Sequence, residues 1–222
     1  MTEEEPQLLR RKPPVESAAV AGVVYAILAA VAWQLLVRFP QPTMSDQALA
    51  SWYAESANRW SLIAALNLAA ISSVAFLWFV AVVRRRIGER EDRFFATVFL
   101  GSALVWVAVW LVGAASIAAI AVAMELTGGG SVSQDTATLA GGLGAGLLLV
   151  AGPRIQAIFV ISTSTVFLRT GVAPRWLALL GYMVGVGLFI VPLVIDPVGL
   201  AFPAWVLIVS VTILAIRRTA AD

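Results

Sequence analysis

Six apolar runs, at about 17–38, 61–83, 94–124, 139–168, 176–195 and 198–216, carry no charge except Arg38 at the edge of the first and Arg154 inside the fourth. A helix needs ~20 such residues to cross a hydrocarbon core of ~30 Å. Backbone N–H and C=O groups find no water partners in lipid, so runs of this length specify helices closed on their own hydrogen bonds. The expected fold class is therefore an all-α integral membrane protein: a six-transmembrane-helix bundle over 17–218, between short tails at 1–16 and 219–222. The third and fourth runs exceed what a bilayer requires. They should tilt, protrude or break, with Gly113 and the Gly141/Gly142/Gly144/Gly146 cluster as the places.

Orientation follows from positive charge. Alternate connections hold Arg10, Arg11 and Lys12, then Arg84, Arg85, Arg86, Arg90 and Arg93, then Arg169 and Arg175, then Arg217 and Arg218, while the opposite side holds only Arg38 and Arg59. The positive-inside bias then puts both termini in the cytoplasm. Residues 1–16 read as a flexible tail, since they are polar, contain Pro13-Pro14 and lack an apolar period. A cleavable signal peptide is the rival for the first run. Ser17 to Val37 is too long for one, and Ala48-Leu49-Ala50 lies too far downstream to be its cleavage site, so a retained span is expected.

With 60% hydrophobic and 13% charged residues, this is not a water-soluble composition. A net charge of +2, with the basic residues set between apolar runs, offers no face for nucleic acid. The chain has neither cysteine nor histidine. That removes disulfides, thiol nucleophiles, imidazole or thiolate metal ligands and Ser-His or Cys-His dyads, and no cofactor or metal is expected. No Walker loop, paired intramembrane carboxylates or dinucleotide glycine motif is present, so an enzyme is not the favoured reading. Fourteen arginines against one lysine, with abundant Ala, Gly and Val, suggest a G+C-rich bacterial genome and hence a bacterial plasma membrane.

Between the first two runs, Pro40, Pro42, Thr43 and Asp46 resemble a capping box. Leu49, Trp52, Tyr53 and Trp60 follow at helical spacing, which predicts a helix on the outer surface. The stretch 127–138 (TGGGSVSQDTAT) reads as a flexible external loop. Trp33, Trp60 and Trp176 fall near the expected interfaces, whereas Trp78, Trp106, Trp110 and Trp205 read as buried helix contacts. Ser72, Ser73 and the run from Ser162 to Thr165 should bond carbonyls one turn back. Gly142-x-x-x-Gly146 and Gly181-x-x-x-Gly185 allow close helix approach; packing within the bundle is expected, with a homo-oligomer or membrane partner as the alternative. The Arg84-Arg85-Arg86 cluster reads as a topology determinant, with anionic lipid headgroups as its alternative partner.

In Thr170-Gly171-Val172-Ala173-Pro174-Arg175-Trp176-Leu177, Gly171 suits a helix C-terminus and Pro174 the start of the next helix. Arg175 stays in the cytoplasm and Trp176 anchors the interface. This Gly-x-x-Pro-Arg-Trp-Leu turn, with the opening Ala18-Ala19-Val20-Ala21-Gly22-Val23-Val24-Tyr25, resembles a family of uncharacterised bacterial six-span membrane proteins known only as a domain of unknown function. The resemblance would cover 17–218 and implies architecture, not activity.

Arg154 is the one charge well inside a run. Counted from Leu168 it lies about 21 Å deep, so about 9 Å from the outer boundary, a depth from which it can snorkel. Pro153 cannot donate to the Leu149 carbonyl, which leaves that acceptor open. Gln34 and Asn67 fall at similar depth, and Glu125 and Asp196 end spans on the same side, so the five could form an outward polar pocket for a small anionic or lipidic ligand, with an internal pair between Arg154 and Glu125 or Asp196 as the equal alternative. Gln156 lies about 200° round the helix from Arg154 and cannot share that face. Two readings follow: a non-enzymatic structural, regulatory or partner-binding bundle, or a transporter or binder working through the Arg154 pocket. An enzyme acting on lipid would have to draw on Glu125, Asp135 and Asp196.

Overall fold

The computed structural model describes residues 16–40, 44–87, 93–130, 132–190 and 198–218. Every element among them is helical: α1 (Glu16–Leu36), α2 (Asp46–Ala54), α3 (Ser56–Ile87), α4 (Arg93–Thr127), α5 (Gln134–Ala145), α6 (Gly152–Thr170), α7 (Arg175–Ile190) and α8 (Val198–Arg218), with one π-helical turn (Gly146–Ala151) joining α5 to α6. Three helical stretches are long and apolar enough to span a membrane: Ser56–Arg85, Thr97–Thr127 and the continuous Gln134–Thr170. Val20–Leu36, Arg175–Ile190 and Gly199–Ala215 are shorter apolar helices.

The long helices close a ring in the order α1, α3, α4, α6, α7, α8 and back to α1. Each contributes to one core, whose centre is aromatic: Tyr25 of α1, Phe76 of α3, Phe159 of α6 and Phe202 of α8. Tyr25 and Phe76 have centroids 4.9 Å apart, Phe76 and Phe159 5.2 Å, and Phe76 and Phe202 5.6 Å, in tilted or edge-on arrangements. Such pairs are worth about 0.5–1.5 kcal/mol each beyond the area they bury. On the outside, Val20, Val24, Ile27 and Val31 form an exposed stripe along α1, and Leu179, Met183, Val186 and Phe189 another along α7. Apolar stripes of this extent suit hydrocarbon, not water.

Small residues set the helix separations. A Cβ on Gly181 would come 2.0 Å from Ser164 Oγ, and one on Gly185 2.6 Å from Ile161, so this glycine pair seats α7 on α6 within the chain. The other expected pair is different. Gly142 and Gly146 face open space, while their neighbours Gly141 and Gly144 make the contacts, with Phe39 and with Ile117 and the Gly113 carbonyl. Gly113 does not break α4, which runs unbroken for 35 residues, about 52 Å; a Cβ there would collide with Leu148. The fourth run does not break either: it stays helical from Gln134 to Thr170, with a π turn after its glycines.

The expected surface helix is α2. Its cap is Ser45, whose Oγ accepts from the Ala48 amide, and Leu49 and Tyr53 are buried; Thr43 lies outside the described residues. The expected 127–138 loop is shorter than its composition suggests, because Ser133 caps α5 and starts a helix at Gln134. In the α6–α7 connector Gly171 takes φ 66° and donates to the Phe167 carbonyl at 3.0 Å, as the glycine there requires. Trp60 and Trp176 are exposed, but Trp33 is buried and Trp78 is exposed, reversing their expected places. Trp106, Trp110 and Trp205 are core residues.

Candidate functional site

Arg154 sits at the junction of the π turn and α6, half-buried, and its Nη1 donates to the Val150 carbonyl at 2.8 Å and the Leu149 carbonyl at 3.4 Å. The acceptor that Pro153 leaves open is thus met by the next side chain. Both carbonyls lie N-terminal to Arg154, so its head turns toward the end of the bundle that carries α2 and the start of α5. Glu125 is engaged elsewhere: Arg59 Nε donates to its Oε1 at 2.6 Å, and Arg59 Nη1 donates to the Tyr53 and Ala54 carbonyls at 2.6 and 2.9 Å. This arginine closes the C-terminus of α2 onto the end of α4. Asn67 donates to Ile63 in its own helix, Gln34 is exposed, and Asp196 lies outside the described residues. No hydrogen bond or ion pair joins Arg154 to Gln34, Asn67 or Glu125. Among the described residues the expected pocket is not assembled, because nearer partners engage both Arg154 and Glu125.

The polar convergence in the bundle lies on the opposite side of α6. Gln156 is 4% exposed and makes no hydrogen bond among the described residues, yet its amide atoms are not sealed in, since they reach a narrow cleft. α1 supplies Tyr25, Ala29 and Trp33 to this cleft, α4 supplies Trp106 and Trp110, the π turn and α6 supply Leu148, Leu149 and Pro153, and α8 supplies Gly199 and Pro203. Its space is about 10 Å³, close to the least that holds one water.

A proline-bearing turn from each of two helices lines this space. Pro203 stands inside α8 and has no N–H for the Gly199 carbonyl, four residues back. Gly199 can line the cleft only with main-chain atoms. Pro153 likewise has nothing to give Leu149 in α register or Leu148 in π register, and both line the cleft. Irregular backbone inside an apolar bundle persists where it is enclosed by protein or borders a polar cavity. The hydroxyl of Tyr25 accepts from Trp106 Nε1 at 3.3 Å and gives its own proton to no described acceptor. Trp110 Nε1 is held by Ser72 Oγ at 3.2 Å. The cleft is therefore bordered by an amide, a hydroxyl and the main chain of Gly199 among aromatic faces, with no charged side chain.

Such a set can bind by hydrogen bonding but contains no nucleophile paired with a base, and no cluster of three or more Asp and Glu among the described residues could hold a metal. Arg84, Arg85 and Arg175 are exposed at the opposite end from α2, with Trp176 beside them; the side chain of Arg86 lies outside the described residues. Sequence reading set Gln156 aside because it cannot share a face with Arg154, and that same geometry is what turns it into the cleft. The available signal was a proline in each of two spans, with a glutamine three residues after Pro153. No family model matches the chain, and no curated protein or solved structure matches it either.

Proposed function

We propose that the chain is a six-span membrane protein with both termini in the cytoplasm, acting by binding and not by catalysis, and that the cleft around Gln156 is its binding site. Support for the topology comes from the closed ring of six helices, the lipid-suited stripes of α1 and α7, and the exposed arginines gathered at the end away from α2. The end of α2 is then the outer one. The observation that carries the binding role is the convergence of two proline-bearing helix turns, at Pro153 and Pro203, on a buried glutamine that has no hydrogen-bond partner among the described residues.

Two experiments test this. Because the chain has no cysteine, Gly129→Cys should be labelled in intact cells by an impermeant thiol reagent and Gly88→Cys should not; the reverse pattern overturns the orientation. For the site, a variant with Trp52, Trp60, Trp78 and Trp176 changed to Phe keeps only the buried tryptophans, three of which line the cleft. Acrylamide, iodide or caesium should quench it beyond the level of a fully enclosed indole. If none does, the cleft is not a binding site.

A further inference from the structure

The cleft is not isolated. A second void of about 30 Å³ is lined by apolar side chains alone, among them Phe39, Ile117 and Ala145, and shares Trp33, Leu148 and Leu149 with the cleft. A third, about 10 Å³, lies between the start of α2 and α5, where Met44, Leu49 and Gln134 line it, and shares Phe39 with the second. Phe39 thus borders both the outer and the middle void, and Trp33 both the middle void and the Gln156 cleft. Trp33 is fitted closely there, since a Cβ on Gly199 would come 2.0 Å from its ring.

From this arrangement we infer that small uncharged solutes with a single hydrogen-bonding head reach the Gln156 cleft along this route, passing Phe39 and then Trp33. The inference rests on the binding role proposed above and adds the ligand class and the path. Charge is excluded by the lining. No ionised side chain borders any of the three voids, and the middle one offers no polar side chain at all, so an ion would have to shed its water without replacement. A neutral amide or alcohol loses far less in that apolar passage. At the inner end it meets the free amide of Gln156 and the unused proton of Tyr25. As they stand the voids are water-sized, about 10, 30 and 10 Å³, so a solute of a few heavy atoms passes only as Phe39 and Trp33 swing aside, and lipid chains are excluded.

Acrylamide, a neutral amide of five heavy atoms, is the probe, with iodide and caesium as charged controls, on the variant retaining the buried tryptophans. Acrylamide should quench it and the two ions should not. Ala145→Phe, which fills the middle void, should lower the acrylamide quenching constant several-fold, and Phe39→Ala, which removes the ring bordering the outer and middle voids, should raise it. Gln156→Leu should abolish any static component while leaving the collisional one. Quenching by iodide or caesium as strong as by acrylamide overturns the ligand class but leaves the binding role standing. Acrylamide quenching that neither Ala145→Phe nor Phe39→Ala alters overturns the route. Opposite shifts in those two variants cannot come from misfolding alone.

Discussion

The seating of α5 on α4 supplies a quantitative prediction with an internal control. At Gly144 an added Cβ would lie 2.5 Å from Ile117 Cγ1 and 2.9 Å from the Gly113 carbonyl oxygen. Ile117 could rotate away, but the carbonyl is main chain within an unbroken helix, so Gly144→Ala must push the two helices apart. Overpacking of this kind costs about 1–3 kcal/mol. At Gly142, two residues earlier in the same helix, nothing lies within 4 Å, and alanine there should only gain helix propensity, up to about 1 kcal/mol. Both variants share that gain, so the difference between them isolates the contact: Gly144→Ala should be less stable than Gly142→Ala by about 1–3 kcal/mol. Unfolding in mixed micelles with rising SDS fraction, followed by circular dichroism, measures it. If Gly142→Ala is as destabilised as Gly144→Ala, the assignment of the α4–α5 contact to Gly144 is wrong.

Arg154→Leu should change stability by no more than about 1 kcal/mol in the same assay, because lost bonds to two carbonyls are offset by removal of a charge from the bundle. Collapse of folding yield would show that Arg154 holds a partner other than its own helix. Tyr53 gives a pH prediction: burial pushes its hydroxyl up from 10.0 to about 12. A neutral acid favoured by folding contributes stability that is complete below the unfolded pKa and is lost as pH rises from about 10 toward 12. The docking of α2 should therefore loosen over that window, read as faster proteolysis at 44–55, and Tyr53→Phe should remove the dependence; an unchanged profile in Tyr53→Phe refutes it.

The helical class and the placement of the helices were legible because long apolar runs leave a chain in lipid only one backbone solution. The α6–α7 connector was legible for a local reason, as Gly171 and Pro174 each impose their conformation without help from tertiary contacts. Ser72, Ser73 and Ser162 to Thr165 bond preceding carbonyls as expected, again a local rule. What could not be read was which partner a group chooses across the bundle. Depth along a helix placed Glu125 near Arg154, but rotation about the helix decides contact, and Arg59 wins Glu125 because α2 folds back beside it. The same blindness to rotation hid the cleft. Gln156, Tyr25 and Gly199 come from three helices, and only the order of the ring brings them together. Gly113 misled because a glycine in an apolar helix reads as a weak point when its role is to admit Leu148.

The central claim is that Gln156 borders a space inside the bundle that admits small neutral molecules. Gln156→Cys measures this directly, with Ala65→Cys, at 0% exposed, as the enclosed control. Methyl methanethiosulfonate, small and uncharged, should modify Gln156→Cys in the folded protein and leave Ala65→Cys untouched. The trimethylammonium and sulfonate forms of the reagent should modify neither, and acrylamide at high concentration should slow the reaction. A Gln156→Cys thiol as inert as that of Ala65→Cys, or one that the charged reagents reach as fast as the neutral one, would contradict the account.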